Sequence, residues 1–121
     1  VYCDVTGLKR VNDEEGHSKG DQLILRACDC LRGTLKEFDL FRIGGDEFVA
    51  LCRGMEEGEL YREVEELRTE LDRKKVTMAV GAAVNTLGAV GFDHLLTEPE
   101  RRMYQDKAEY YRKSGLNRRR Q

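Results

Sequence analysis

The sequence predicts a single α/β domain, a sheet with helices packed against it. Three observations lead there. Short β-branched, apolar segments alternate with longer segments whose apolar residues recur at the helical period. A Gly-Gly pair at 44–45 lies between two apolar runs and marks a hairpin. The chain has 121 residues, 40% apolar and 36% charged, which suits one modest core under a solvated surface.

The elements follow in order. Residues 1–6 (VYCDVT) read as a buried strand that ends at Gly7. Residues 7–20 are polar and charged and read as a loop, where an α/β protein usually places its ligand site. A first helix is expected over 19–36, with Leu23, Ile24, Ala27, Leu31 and Leu35 on one face and Ser18 as N-cap. Two short strands, 40–43 and 47–52, flank Gly44-Gly45, a turn expected to need positive φ. A second helix over 56–74 carries the stripe Leu60, Val64, Leu67 and Leu71. Residues 76–85 (VTMAVGAAVN) are apolar on both faces and read as a central strand. A last helix over 92–113 is broken or started by Pro99 and stopped by Gly115. The order is β-α-β-β-α-β-α, with no internal repeat and no second domain.

Composition excludes several classes. A net charge of −2 argues against nucleic acid as a partner, and the Arg118–Arg120 run reads as a solvated tail. No apolar run is long enough to span a bilayer, so no membrane contact is expected of this segment. Cys3, Cys28, Cys30 and Cys52 form no Cys-x-x-Cys pair and mostly sit in apolar patterns, which points to a reducing cytosol and a cytoplasmic location. The chain opens directly on a strand, as a piece of something longer would.

Acids at strand ends are the first candidates for chemistry. Asp4 ends the first strand, and Asp46 and Glu47 sit at the hairpin tip. If the strands are neighbours, three carboxylates can converge on a hard cation, although Asp also favours turns for local reasons. Lys9 could offer a compact charge to a phosphate. Asn12 and Asp21 could read the hydrogen-bonding edge of guanine, or simply cap and turn the chain. His17 reads as structural, and His94 takes no role.

Three segments stand together in this order: residues 4–13 (DVTGLKRVND), 16–21 (GHSKGD) and 41–48 (FRIGGDEF). Joined at this spacing they closely resemble the GGDEF family of diguanylate cyclases, and residues 76–83 and 103–107 resemble its C-terminal part. The resemblance implies an α+β form of the class, a mainly antiparallel central sheet wrapped by helices, like the palm of nucleotide cyclases and polymerases. It implies condensation of two GTP into cyclic di-GMP with release of pyrophosphate, by two domains facing each other in a homodimer. Asp4, Asp46 and the Val5 carbonyl would hold Mg2+, or Mn2+ in its place. Glu47 would hold metal or take the attacking hydroxyl's proton. Asn12 and Asp21 would read guanine. Lys9, Lys107 and the amides near Gly7 and Leu8 would contact phosphates. Gly44 and Gly45 would let the backbone approach the nucleotide.

Departures from the family pattern are specific. Thr6 stands where many members carry a second Asp. Tyr111 stands where an Arg often meets the terminal phosphate, with Arg112 beside it. Leu35 and Phe38 occupy the positions of an inhibitory Arg-x-x-Asp, so product inhibition there is expected to be absent. The family's preceding strand-and-helix segment and a sensor domain are expected upstream, which makes 1–121 an N-terminally truncated domain. It could sit in the cytoplasmic part of a membrane-anchored protein. The alternative reading is a GTP-binding regulatory module without turnover, and the intact Asp46-Glu47 pair weighs against it.

Overall fold

In the computed structural model, which describes residues 1–84 and 95–114, a four-stranded sheet is built from β1 (Tyr2–Val5), β2 (Asp39–Arg42), β3 (Glu47–Leu51) and β4 (Met78–Gly81). Among the described residues four helices accompany it: α1 (Leu8–Glu15), α2 (His17–Thr34), α3 (Glu57–Arg73) and α4 (Thr97–Ser114). The strand order is β2-β3-β1-β4, and every pairing is antiparallel. The α/β class expected from the sequence is therefore realised in its antiparallel α+β form.

Period-two alternation along β1 sorts the two faces of the sheet. Cys3 and Val5 point into the main core, with Phe48, Ala50, Met78 and Val80 from the neighbouring strands. Leu23, Ile24, Ala27 and Leu31 of α2 and Leu60, Val64, Leu67 and Leu71 of α3 close that core. Tyr2 faces the other way, in a smaller cluster with Val49, Ala79 and Met103 of α4. Gly81 sets how closely α4 approaches, because a Cβ there would lie 2.1 Å from the Pro99 carbonyl oxygen and 2.3 Å from the Met103 nitrogen. Pro99 itself sits in the first turn of α4, where its missing N–H costs nothing.

Four local expectations are corrected. Residues 8–15 are helical rather than loop: Leu8 and Val11, one turn apart, pack against the core while the charged residues of the helix stay in water. That apolar stripe is too thin to stand out in the sequence. The α2 helix is capped by Gly16, whose φ of 90° turns the chain between α1 and α2, so Ser18 lies inside the helix and is not its cap. Gly44 and Gly45 are not among the positive-φ glycines of the described residues, which are Gly7, Gly16 and Gly54, so the hairpin does not need them for that reason. Finally, β4 is an edge strand among the described residues. Side chains satisfy its outer rim: Asp106 accepts from the Val80 N–H at 2.8 Å, Arg68 donates to the Val80 carbonyl at 3.3 Å, and Arg102 donates to the Ala82 carbonyl at 2.8 Å. Asn85, the start expected for the last helix at 92, and Gly115 lie outside the described residues, as does the Arg118–Arg120 run.

All four cysteines are free, and no helix among the described residues is long and apolar enough to cross a membrane.

Candidate active site

The end of β1 and the tip of the β2–β3 hairpin meet because the strands pair in a fixed register. Asp4 lies opposite Glu47, and the Val5 N–H donates to the Asp46 carbonyl at 2.7 Å. That bond draws the hairpin tip onto the end of the central strand. Gly7 then turns the chain at φ 82° into α1, with no side chain capping the first amides of that helix. A groove of about 1270 Å³ opens here, lined by Asp4, Asp46, Thr6, Gly7, Leu8 and Lys9 together with residues of α2 and α4.

Asp4 is the most unusual group in it. Its residue is 3% exposed, yet only one carboxylate oxygen has a partner: Lys107 Nζ lies 3.5 Å from Oδ2, and Oδ1 has none. Burial pushes the carboxyl up to about 6; Lys107 opposes that, and the neighbouring charges of Asp46 and Glu47 add to it. Thr6 Oγ1 is a second buried oxygen without a partner. Leaving such groups unpaired costs on the order of 1–3 kcal/mol each. A buried, half-satisfied carboxylate beside a second carboxylate suits a divalent cation, which wants anionic oxygens and brings its own waters.

The structure brings some of the expected residues together and leaves others apart. Asp4, Val5, Asp46, Gly7, Leu8, Lys9 and Lys107 all line the groove. Glu47 does not, since its Oε1 accepts from the Tyr2 hydroxyl at 3.2 Å on the α4 side of the sheet. Three acids at one point were expected; two line the groove, and no group of three His, Cys, Asp or Glu among the described residues is placed to hold a metal ion. Asn12 lies where α1 and α2 pack together, and neither it nor Asp21 lines the groove. Asn12 Oδ1 sits against Gly20, where a Cβ would come within 1.7 Å of it, and Asp21 follows directly, exposed. A side chain at Gly20 would therefore push the Asn12 amide aside. Gly44 and Gly45 are exposed at the tip. A Cβ on Gly44 would make only ordinary contact with Glu47, and one on Gly45 would meet nothing within 4 Å. Neither backbone conformation nor internal packing demands glycine there, which leaves room for an external group.

Sequence reasoning missed further cations. Arg10, Lys19, Arg26 and Lys75 line the same groove. Lys75 is the one described non-glycine residue with positive φ, 58°, at the end of α3 where glycine is usual. The Lys74-Lys75 pair just before a strand is a weak signal for it. Tyr111 is buried at 8% exposure and also lines the groove.

Comparison with known proteins identifies the family and the fold. The family described as "Diguanylate cyclase, GGDEF domain" matches residues 1–113. Diguanylate cyclase DosC of Escherichia coli K12 is 30% identical over 92 residues, covering 75% of this chain and 20% of that protein. Diguanylate cyclase DgcS of Shewanella oneidensis is 38% identical over 55 residues, 45% of this chain and 19% of its own length. The chain thus spans about a fifth of these relatives. Among solved structures, the active GGEEF domain of a diguanylate cyclase from Vibrio cholerae superposes with a TM-score of 0.78 at 17% identity, covering 89% of this chain and 74% of that one, a likeness of fold. A microbial GGDEF domain studied for its interaction with cyclic di-GMP superposes at 0.75 with 27% identity, over 89% of this chain and 71% of that one. With the motif order, the antiparallel sheet and the family match over nearly its whole length in agreement, the chain belongs to the diguanylate cyclase GGDEF-domain family.

Proposed function

We propose that this domain binds GTP with Mg2+ (or Mn2+) and, paired with a second copy, condenses two GTP into cyclic di-GMP and pyrophosphate. The observation that carries the reading is Asp4: buried, with one oxygen unpartnered, beside Asp46 at the mouth of a cation-lined groove. Asp4, Asp46 and the Val5 carbonyl would hold the metal, which when bound neutralises phosphate charge and lowers the pKa of oxygens it touches.

The chain's own residues do the remaining work. Lys9, Lys107 and the uncapped amides at Gly7 and Leu8 bind phosphate oxygens at the start of α1, where the helix field favours anions. Lys107 rests on Asp4 and would turn to phosphate once another cation neutralised that carboxylate. Asn12 and Asp21 hold the guanine edge and so fix the nucleotide's register. Gly44 and Gly45 keep the tip bare for close approach. Glu47, tethered by Tyr2, either orients Asp46's neighbourhood or accepts the attacking hydroxyl's proton. Orientation of two nucleotides across a domain pair supplies most of the acceleration. A cytoplasmic location, an upstream sensor domain and no nucleic-acid partner complete the proposal.

A second reading, a GTP-binding regulatory module without turnover, is favoured by Tyr111 in place of a phosphate-contacting Arg. Incubating the intact protein with GTP and Mg2+, with Asp46→Ala as control, decides between them by nucleotide chromatography. Cyclic di-GMP from the wild type alone supports the cyclase; bound guanine nucleotide without product supports the regulatory module. Equal product from Asp46→Ala removes Asp46 from the mechanism.

A further inference from the structure

The hairpin tip is held by a side chain outside the groove. Arg42, the last residue of β2, is exposed; its Nε donates to the Gly44 carbonyl at 3.2 Å and its Nη2 to the Gly45 carbonyl at 2.5 Å. The backbone adds one bond across the tip, from the Ile43 N–H to the Glu47 carbonyl at 3.0 Å. The next carbonyl, that of Asp46, accepts from Val5 N–H at 2.7 Å. Three successive tip carbonyls are thus gripped from outside the turn, two of them by one planar fork.

The consequence follows from peptide geometry. In a trans peptide the C=O and N–H point in opposite directions. Holding the Gly44 and Gly45 carbonyls toward Arg42 therefore turns the Gly45 and Asp46 N–H groups away from it. Among the described residues neither of these amides has an acceptor, and nothing lies within 4 Å of where a Gly45 Cβ would stand. Two consecutive free amides beside open space form an anion-binding concavity. Glycine at 44 and 45, required neither by φ nor by packing, keeps that concavity open.

We infer that Arg42 is a positioning residue: its guanidinium clamps the hairpin tip so that the Gly45 and Asp46 amides meet a phosphate oxygen of the nucleotide and the Asp46 carboxylate stays in register with Asp4. The inference rests on the nucleotide reading above. Arginine suits the task because its rigid fork offers parallel donors, whereas lysine offers a point charge on a flexible stem. Because Arg42 is exposed, the clamp adds little to folding stability, and its effect is local.

The test uses the intact protein with Arg42→Ala and Arg42→Lys, measuring kcat and KM for GTP with Mg2+ and the thermal midpoint. In Arg42→Ala, kcat falls about 10- to 100-fold, the cost of misplacing a reacting group by around an ångström. KM stays within about threefold, because the guanine contacts remain, and the midpoint does not move. Arg42→Lys loses most of the same kcat, and added methylguanidinium restores part of the activity of Arg42→Ala. A kcat within about twofold of wild type in Arg42→Ala, or a loss matched by a fall in the thermal midpoint, overturns the clamp. A readout independent of turnover is the amide resonances of Gly45 and Asp46 on adding a non-hydrolysable GTP analogue. They shift in the wild type and not in Arg42→Ala. A wild type that binds the analogue with both amides unmoved overturns the clamp alone; a wild type that binds no guanine nucleotide overturns the nucleotide reading and the clamp with it.

Discussion

The two faces of the sheet are built for different ends. On the α2–α3 face, alternate residues of β1, β3 and β4 are apolar and nearly all fully buried, from Cys3 and Val5 to Phe48 and Val80. On the α4 face the same strands present Tyr2, Asp4, Glu47 and Val49, and among the described residues the apolar cluster shrinks to four buried residues, Met103 included. One face is a core in which each methylene counts. The other is a thin apolar patch that gives way, at the end of β1, to a buried acid with an unpaired oxygen. The main core and the candidate site are thereby separated by a single strand's thickness, and a one-residue slip in β1 would exchange them.

Substitutions on each face should separate these roles. Leu67→Ala, at a side chain with no exposure between α3 and the sheet, is expected to destabilise the fold by about 3 kcal/mol by denaturant unfolding. GTP affinity per folded molecule should be unchanged. A matching fall in affinity would mean that the two faces are coupled. Gly81→Ala attacks the other face. The new Cβ meets backbone of α4 and not a flexible side chain, so a loss of roughly 2 kcal/mol is expected. Here affinity should fall as well, because displacing α4 takes Lys107 from Asp4.

Asp4→Asn reverses the sign. The Asp4 carboxyl titrates at about 6 in the folded chain against 3.8 ordinarily, so the folded state binds the proton more tightly. Its contribution to stability is fully present below pH 3.8 and is lost as the pH rises through about 6. Removing the charge should therefore stabilise the metal-free chain at pH 7–8, on the order of 2 kcal/mol, and flatten that pH dependence while turnover is lost. Unchanged stability with unchanged pH dependence would show that Asp4 titrates like a solvated acid. The smallest effect is expected from Gly20→Ala. Its Cβ meets the mobile end of Asn12, so stability should change by about 1 kcal/mol or less, while KM for GTP rises by about tenfold through displacement of Asn12. An unaltered KM would remove Asn12 from guanine binding.

How much of this was legible in sequence depends on range. β1, the hairpin and α3 were readable, because each carries its own period: Leu60, Val64, Leu67 and Leu71 need no distant partner to declare a helix face. The first turn after β1 was not, since α1 has no fully buried residue and looks like a polar loop. The edge position of β4 was hidden because Arg68, Asp106 and Arg102, distant in sequence, supply its missing partners. Gly20 and Gly81 gave no local hint of packing against Asn12 and α4. The acids were legible as candidates, and the motif order joined Asp4 to Asp46. The half-satisfied state of Asp4 needed Lys107, 103 positions away, to be seen.

The most direct test is a crystal of the protein grown with Mn2+ and a non-hydrolysable GTP analogue, with anomalous scattering recorded at the manganese edge. The account predicts a manganese peak at the carboxylates of Asp4 and Asp46, with the analogue ordered in the same groove. An ordered analogue whose metal sits away from both carboxylates would contradict it.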